Sequence, residues 1–181
     1  MDSLSLLLTR QSMPNLQAPA PDKSALDNII SAGMRAPDHA GLQPWHFVVA
    51  ENDGLTRLSE LFVSTLADDV EEAKRAKVKK MPFRAPMIIV ISTRYQPHDK
   101  VPLKEQLVTA GCCAHAMQMA AFSLGYGAMW RTGDLAYNEQ VKAGLGIEPE
   151  DDLVGFLYVG TPSKEMVIKP GKAFDGHVSY L

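Results

Sequence analysis

Apolar residues recur along this chain at two different spacings, and the switches between them mark out its elements. Leu4, Leu7 and Leu8 fall on one helical face ahead of Arg10, which predicts a short amphipathic opening helix. The polar, proline-bearing loop from Gln11 to Ala20 ends it. Asp22 stands where a helix N-cap is expected, and Leu26, Ile29 and Ile30 give the stripe of a helix running to about Arg35 before Pro37 stops it. After the turn-rich segment DHAGLQP, Trp45 to Ala50 reads as a strand, and Leu55, Leu58, Leu61, Phe62 and Leu66 mark the helix that follows. The charged stretch DDVEEAKRAKVKK then reads as a solvated helical continuation or a flap.

Two segments lack a polar face. Between Pro86 and Thr93 the run MIIVIST is almost continuously apolar and β-branched, as expected of a strand buried on both faces. From Leu103 to Leu124 a long helix is apolar around most of its circumference, and Gly111, Ala114, Ala116, Ala120 and Ala121 allow another helix to pack directly on it. Beyond Gly125 and Gly127 come a short strand (Ala128 to Arg131), a turn, a helix near Asn138 to Leu145 and a final buried strand from Leu153 to Gly160. The tail from Thr161 to Leu181 has an apolar cluster near Met166 to Ile168 and an aromatic end without regular period, which suits a segment wrapping a surface. There is no fixed-period repeat and no strict βαβ alternation, so the expected class is α+β. One domain spans residues 1–181, its sheet covered by helices on both faces.

Composition acts mainly by exclusion. A chain of 181 residues supports one domain of ordinary size, and 46% hydrophobic with 22% charged residues is the balance of a globular protein. A net charge of -3 leaves no cationic excess for a nucleic-acid backbone or an anionic membrane surface. Cys112 and Cys113 are adjacent and cannot close an ordinary loop within the chain, which suits a reducing compartment. The opening MDSLSLLLTR has neither a basic start nor a small-residue cleavage site, so the expectation is a cytoplasmic protein with no membrane or nucleic-acid partner. No phosphate loop, nucleophile elbow, HExxH or CxxC spacing is present; His46 reads as structural, and no metal site stands out.

Three clusters carry possible chemistry. In Arg10-Gln11-Ser12 a guanidinium and a hydroxyl two residues apart suit a phosphate, although an arginine ending a helix also complements the dipole. Arg35 ends a helix too, and Ala36-Pro37-Asp38-His39 after it adds polar groups in a constrained turn. The third cluster runs from Gly125 to Gly133. Its glycines let backbone approach a flat ligand, Arg131 supplies charge, and Thr132 and Gly133 supply a hydroxyl and N–H groups. A helix stop followed by an ordinary turn would explain the same residues.

In order and spacing, over nearly the whole chain, these clusters resemble the FMN-dependent nitroreductase family, in particular its short, minimal YdjA-type members. The resemblance implies a nitroreductase-like α+β fold with a mixed or antiparallel sheet covered by helices, in a homodimer holding FMN at its interface. It implies that Arg10 and Ser12, with Gln11 between them, bind the FMN phosphate and ribityl chain. Arg35 and His39, within APDHAGLQPWHF, would reach the flavin of the partner subunit. Ala121, Phe122, Ser123, Leu124, Gly125 and Tyr126 would lie near the nicotinamide cofactor, and Arg131, Thr132 and Gly133 would complete the FMN site. Electrons would pass from NADH or NADPH through flavin N5 to a nitro compound, quinone or similar small acceptor in ping-pong turnover. The protein would supply no catalytic residue of its own, only an open apolar slot lined by residues such as Phe83. The chain departs from larger members in Asp38-His39 for paired serines, Gly41 for an asparagine, Trp130-Arg131 for a Glu-Gly, and Met13-Pro14 where a lysine is common. Two other functions fit the same motifs: a flavin-holding module with little turnover, favoured by the short helical region after Leu66, and a different flavin chemistry on the same scaffold.

Overall fold

The computed structural model describes residues 2–165 and 167–181. In chain order its elements are α1 (Ser3–Thr9), β1 (Leu16–Gln17), α2 (Lys23–Gly33), β2 (Trp45–Glu51), α3 (Asp53–Ser64), α4 (Glu72–Lys79), β3 (Met87–Thr93), α5 (Leu103–Ser123), β4 (Gly127–Arg131), α6 (Glu139–Gly144) and β5 (Leu153–Pro162). All strand pairs among them are antiparallel. β5 pairs with β3 on one edge and β4 on the other, β2 lies outside β3, and β1 joins the end of β5 at Thr161 and Pro162.

Every residue of β3 is buried, and alternation along it separates two cores. Ile88 and Val90, with Phe156 and Tyr158 of β5, face Leu55, Leu58 and Phe62 of α3, Val78 of α4 and Val141 of α6. Met87, Ile89 and Ile91, with Leu157 and Val159, face Ile29 of α2 and Ala114, Met117 and Ala121 of α5. The sheet is therefore the middle of three layers, which is why its strands read as unbroken apolar runs. Each fully buried isoleucine here contributes roughly 1.5–3 kcal/mol relative to an exposed one.

The small residues of α5 let α2 approach closely. A Cβ at Gly33 would stand 2.6 Å from Met117 Cε, so this crossing excludes even alanine without rearrangement. Asp22 caps α2 as expected, its carboxylate accepting from Ala25 N–H at 2.8 Å.

The structure also departs from the sequence reading. The loop after Gln11 contains the two-residue β1, a pairing too short to leave a period. α2 ends at Gly33 rather than at Arg35, because the chain tightens into turns there, with Arg35 N–H donating to Ala32 and Ala36 N–H to Gly33. The charged stretch after Leu66 is a separate helix, α4. In the tail, Phe174, Val178 and Tyr180 are exposed on irregular backbone; of its apolar cluster, Met166 lies outside the described residues. No helix among the described residues is long and apolar enough to cross a membrane.

Candidate functional site

At the end of β4 the chain opens into two adjoining clefts that share Met81, Thr132, Gly133 and Leu135. One, of about 330 Å³, is walled by Arg84, Met129, Arg131 and Tyr158 above the sheet. The other, of about 450 Å³, lies between the Thr132–Asn138 turn and α4, where Leu66, Lys74, Lys77 and Val78 line it. α4 is held there by burial of Val78, by Ser59 Oγ donating to Lys79 O at 2.7 Å, and by Arg75 Nη2 donating to Ala67 O at 3.1 Å. The charged stretch is thus a cleft wall.

Gly155 sets the position of Arg131. The β3–β5 register shifts opposite this residue, whose φ is +152°. A Cβ there would meet the Trp130 indole and come 2.9 Å from the Arg131 carbonyl oxygen, so only glycine lets the end of β4 lie this close. Trp130 Nε1 donates to Val154 O at 3.1 Å, and the Arg131 guanidinium carbon lies 5.5 Å from the Tyr158 ring centroid. Burial raises the Tyr158 pKa, with the cations of Arg84 and Arg131 opposing that shift.

Two guanidinium nitrogens are buried without an acceptor among the described residues: Arg131 Nε and Arg10 Nη1. A buried donor left unpaired costs about 1–3 kcal/mol, so such atoms are rare in a finished fold. Arg10 caps the C-terminus of α1, its N–H donating to Leu6 O. Three residues on, Met13 N–H donates to Ala128 O at 2.9 Å, which ties the Arg10 segment to β4 toward the end away from Arg131, and neither Arg10 nor Ser12 lines either cleft. Ser12 is exposed. Gln11 is engaged elsewhere, its amide donating to Val167 O at 2.8 Å and accepting from Lys169 N–H at 3.3 Å, so it anchors the tail.

Arg35 and His39 border neither cleft. Asp38 folds their turn by accepting from Leu42 N–H at 3.2 Å and Gln43 N–H at 2.8 Å, while Ala40 and Gln43 take positive φ values of 65° and 49°. His39 Nδ1 lies 2.9 Å from Glu105 Oε2 on α5, beside the exposed Leu103, Leu107 and Val108. Leu4, Leu7 and Leu8 of α1 are exposed as well.

The segment from Ala121 to Tyr126 is not brought to the clefts. Ala121 and Phe122 are core residues; Ser123, Leu124 and Gly125 are exposed and Tyr126 is half-buried, at the opposite end of β4 from Arg131. Phe83 is 54% exposed and lines neither cleft; its neighbours Met81 and Arg84 do. Sequence reasoning missed Arg84, Lys74, Lys77 and Gly155. Only tertiary packing brings the first three beside Thr132, and Gly155 looks like any strand residue until the register shift is seen. No cluster of three or more His, Cys, Asp or Glu suited to a metal occurs among the described residues.

The profile of the Nitroreductase family matches residues 7–161. An Escherichia coli (strain K12) protein named "Putative NAD(P)H nitroreductase YdjA" is 44% identical over 163 residues, covering 90% of this chain and 89% of its own. Among solved structures, a nitroreductase-like family protein from Bacillus cereus superposes with a TM-score of 0.88 at 22% identity, over 100% of this chain and 96% of its own. A nitroreductase with bound FMN from Bacteroides fragilis NCTC 9343 gives 0.72 at 19% identity, over the whole of both chains. At these identities the two structures establish a shared fold.

Proposed function

The chain belongs to the nitroreductase family, and from that premise we propose that it is an FMN-dependent oxidoreductase passing electrons from NADH or NADPH to a nitro compound, quinone or similar small acceptor. The observation that carries the reading is the pair of buried guanidinium atoms without acceptors, Arg10 Nη1 and Arg131 Nε. Among the described residues the fold buries these donors and supplies no acceptor for them, which suits an anionic ligand with several acceptor oxygens. The FMN bound to the Bacteroides fragilis protein of the same fold carries such a group.

The residues present fit FMN. Arg10 and Ser12, with Gln11 fixing the loop between them, would hold its phosphate and ribityl chain, while Arg131, Thr132 and Gly133 would border the remainder. When bound, FMN supplies the redox chemistry, accepting two electrons from a nicotinamide and yielding them to an acceptor. The protein binds, orients and shields. Phe62, Met129 and Phe156 make one wall of the smaller cleft apolar. Of the segment from Ala121 to Tyr126, which borders neither cleft, Ser123, Leu124 and Gly125 are the exposed residues and would meet the dinucleotide of a site completed by the second subunit.

The working unit in this proposal is a homodimer. Leu4, Leu7 and Leu8, Leu103 and Val108, and Phe174 and Val178 of the tail are exposed apolar side chains that a second subunit would cover. His39 and its partner Glu105 lie beside α5 residues of that surface, so Arg35 and His39 are assigned to the second subunit's site. A cytoplasmic setting belongs to the same proposal, and Cys112 and Cys113 are both free thiols.

Absorbance tests the core of this reading. Purified protein should carry a flavin spectrum that bleaches when NADH or NADPH is added without oxygen and returns on adding a quinone. Colourless protein that cannot be reconstituted would overturn it; flavin that stays oxidised would indicate a flavin-holding module. Use of one cleft by both substrates in turn should give parallel double-reciprocal lines, whereas intersecting lines would mean separate pockets. Mixing inactive Arg10→Ala and His39→Ala proteins should restore activity in mixed dimers if sites are shared. Sites built within one chain would leave the mixture inactive.

A further inference from the structure

α4 presents Lys74 and Lys77, one turn apart, to the 450 Å³ cleft. Neither forms an ion pair among the described residues, where the three pairs present are Lys23–Asp27, His39–Glu105 and Lys142–Glu139. The helix that carries them is pinned by Val78, Ser59 and Arg75, so both ammonium groups are delivered to the cleft by ordered backbone. Across the cleft, Asp134 is the one carboxylate among its lining residues. The adjoining cleft adds Arg84 and Arg131. Among the residues that line the two clefts, four cations face one carboxylate, although the chain's net charge is -3, and a concave, partly apolar wall focuses the field of such a lining.

We propose that Lys74 and Lys77 form an anion-recognition rim on this cleft, selecting substrates that carry a phosphate or carboxylate group. The proposal rests on the oxidoreductase reading above and takes this cleft, which Thr132 and Gly133 of the proposed FMN site also line, as its substrate site; it names the substrate class that site prefers. Two sources offer the required chemistry: the phosphates of the nicotinamide donor, and an acidic substituent on the acceptor. Unpaired lysines of this kind act as point charges on flexible stems, which accommodate either group without the planar register an arginine would impose.

The test uses the protein as isolated with its flavin and measures binding by calorimetry, so that turnover is not required. The probes are NADP⁺, NAD⁺, 4-nitrobenzoate and the neutral 4-nitrobenzamide. The variant K74Q/K77Q removes the rim, and K79Q/K80Q removes equal charge from the end of the same helix, outside the cleft. The rim variant should bind anionic probes about tenfold more weakly, two partly screened contacts each contributing a few-fold, and the loss should shrink in high salt. The control variant should stay within about twofold of the unmodified protein.

Equal losses for NAD⁺ and NADP⁺ would assign the rim to the donor's pyrophosphate, a loss for NADP⁺ alone to its 2′-phosphate, and a loss for 4-nitrobenzoate but not 4-nitrobenzamide to the acceptor. The proposal is overturned if both variants bind as the unmodified protein does, if the control loses as much, or if the unmodified protein binds none of the anionic probes. Failure of the parent reading looks different. Protein that cannot be loaded with FMN yet binds these probes through its lysines would sink the oxidoreductase, whereas bleaching by NAD(P)H without lysine dependence would sink only the rim.

Discussion

Asp151 and the Nε atom of Arg131 are both buried, yet only Asp151 finds its hydrogen-bond partners within the chain. Its Oδ1 accepts from Thr93 Oγ1 at 3.0 Å and from Tyr95 N–H at 2.7 Å, and Thr93 Oγ1 in turn accepts from Asp152 N–H at 2.8 Å. Nearby, the buried Gln106 amide accepts from Gln96 N–H and donates to the Gln96 and Val101 carbonyls. At the end of β4 and at the end of α1, by contrast, Arg131 Nε and Arg10 Nη1 are buried with no acceptor among the described residues. The first region is finished by folding; the second awaits something else. Buried polar groups that the chain does not satisfy mark the places where stability has been given up to a ligand.

The sharpest way to break the comparison is to damage the finished side. Asp151→Ala strands the Tyr95 N–H and the Thr93 hydroxyl, and should lower unfolding stability by about 3–4 kcal/mol. Urea denaturation measures it, and a loss below about 1 kcal/mol would mean that water reaches this cluster freely. Next comes Gly155→Ala, which joins the two regions. A Cβ there pushes on Trp130 and on the Arg131 backbone at a strained φ, so it should lower stability by about 2–3 kcal/mol and also weaken FMN binding. Weaker stability with unchanged FMN affinity would detach Arg131 from the site.

Damage on the unfinished side should invert the pattern. Arg10→Ala should weaken FMN binding by about 2 kcal/mol, the worth of a charge-assisted hydrogen bond, and, by removing a buried unpaired donor, raise the stability of the flavin-free protein by about 1 kcal/mol. Titrating flavin-free protein with FMN supplies the first figure and urea denaturation the second. An unchanged dissociation constant would return Arg10 to complementing the α1 dipole.

The finished side was the more legible in sequence. MIIVIST read best as a core strand and the small residues of the long helix as a face on which another helix packs, and α2 packs there, because burial leaves a period that can be counted. The candidate site was legible in part. Arg10 and Arg131 stood out as charged residues at element ends, whereas Lys74 and Lys77 were hidden in a stretch where charge is the rule. Their meaning comes from where α4 packs, which depends on Val78 and on a Ser59 hydroxyl twenty residues away in sequence. Arg84 and Gly155 were silent for a related reason: one needs the adjoining cleft and the other the strand register before it differs from its neighbours.

His46 supplies the smallest effect and an intermediate case, a polar ring that is half-covered at the start of β2. Burial lowers its pKa from the ordinary 6.5, and the nearby Arg94 cation lowers it further. The folded state therefore binds a proton less readily than the unfolded chain. Stability from this group is complete above the unfolded pKa of about 6.5 and falls as pH drops from there through the lower folded value, where the unfolded chain gains its proton first. Because solvent screens the half-exposed ring, the total should be under about 1 kcal/mol. Urea midpoints measured from about pH 8 down to about pH 5 should decline less steeply for His46→Gln than for the unmodified protein. Arg94→Gln should recover a smaller part of the same difference, since burial is the larger cause. Identical slopes for all three proteins would show that the ring is solvated as well in the folded state as in the unfolded one, and that half-covering a polar group here has no energetic consequence.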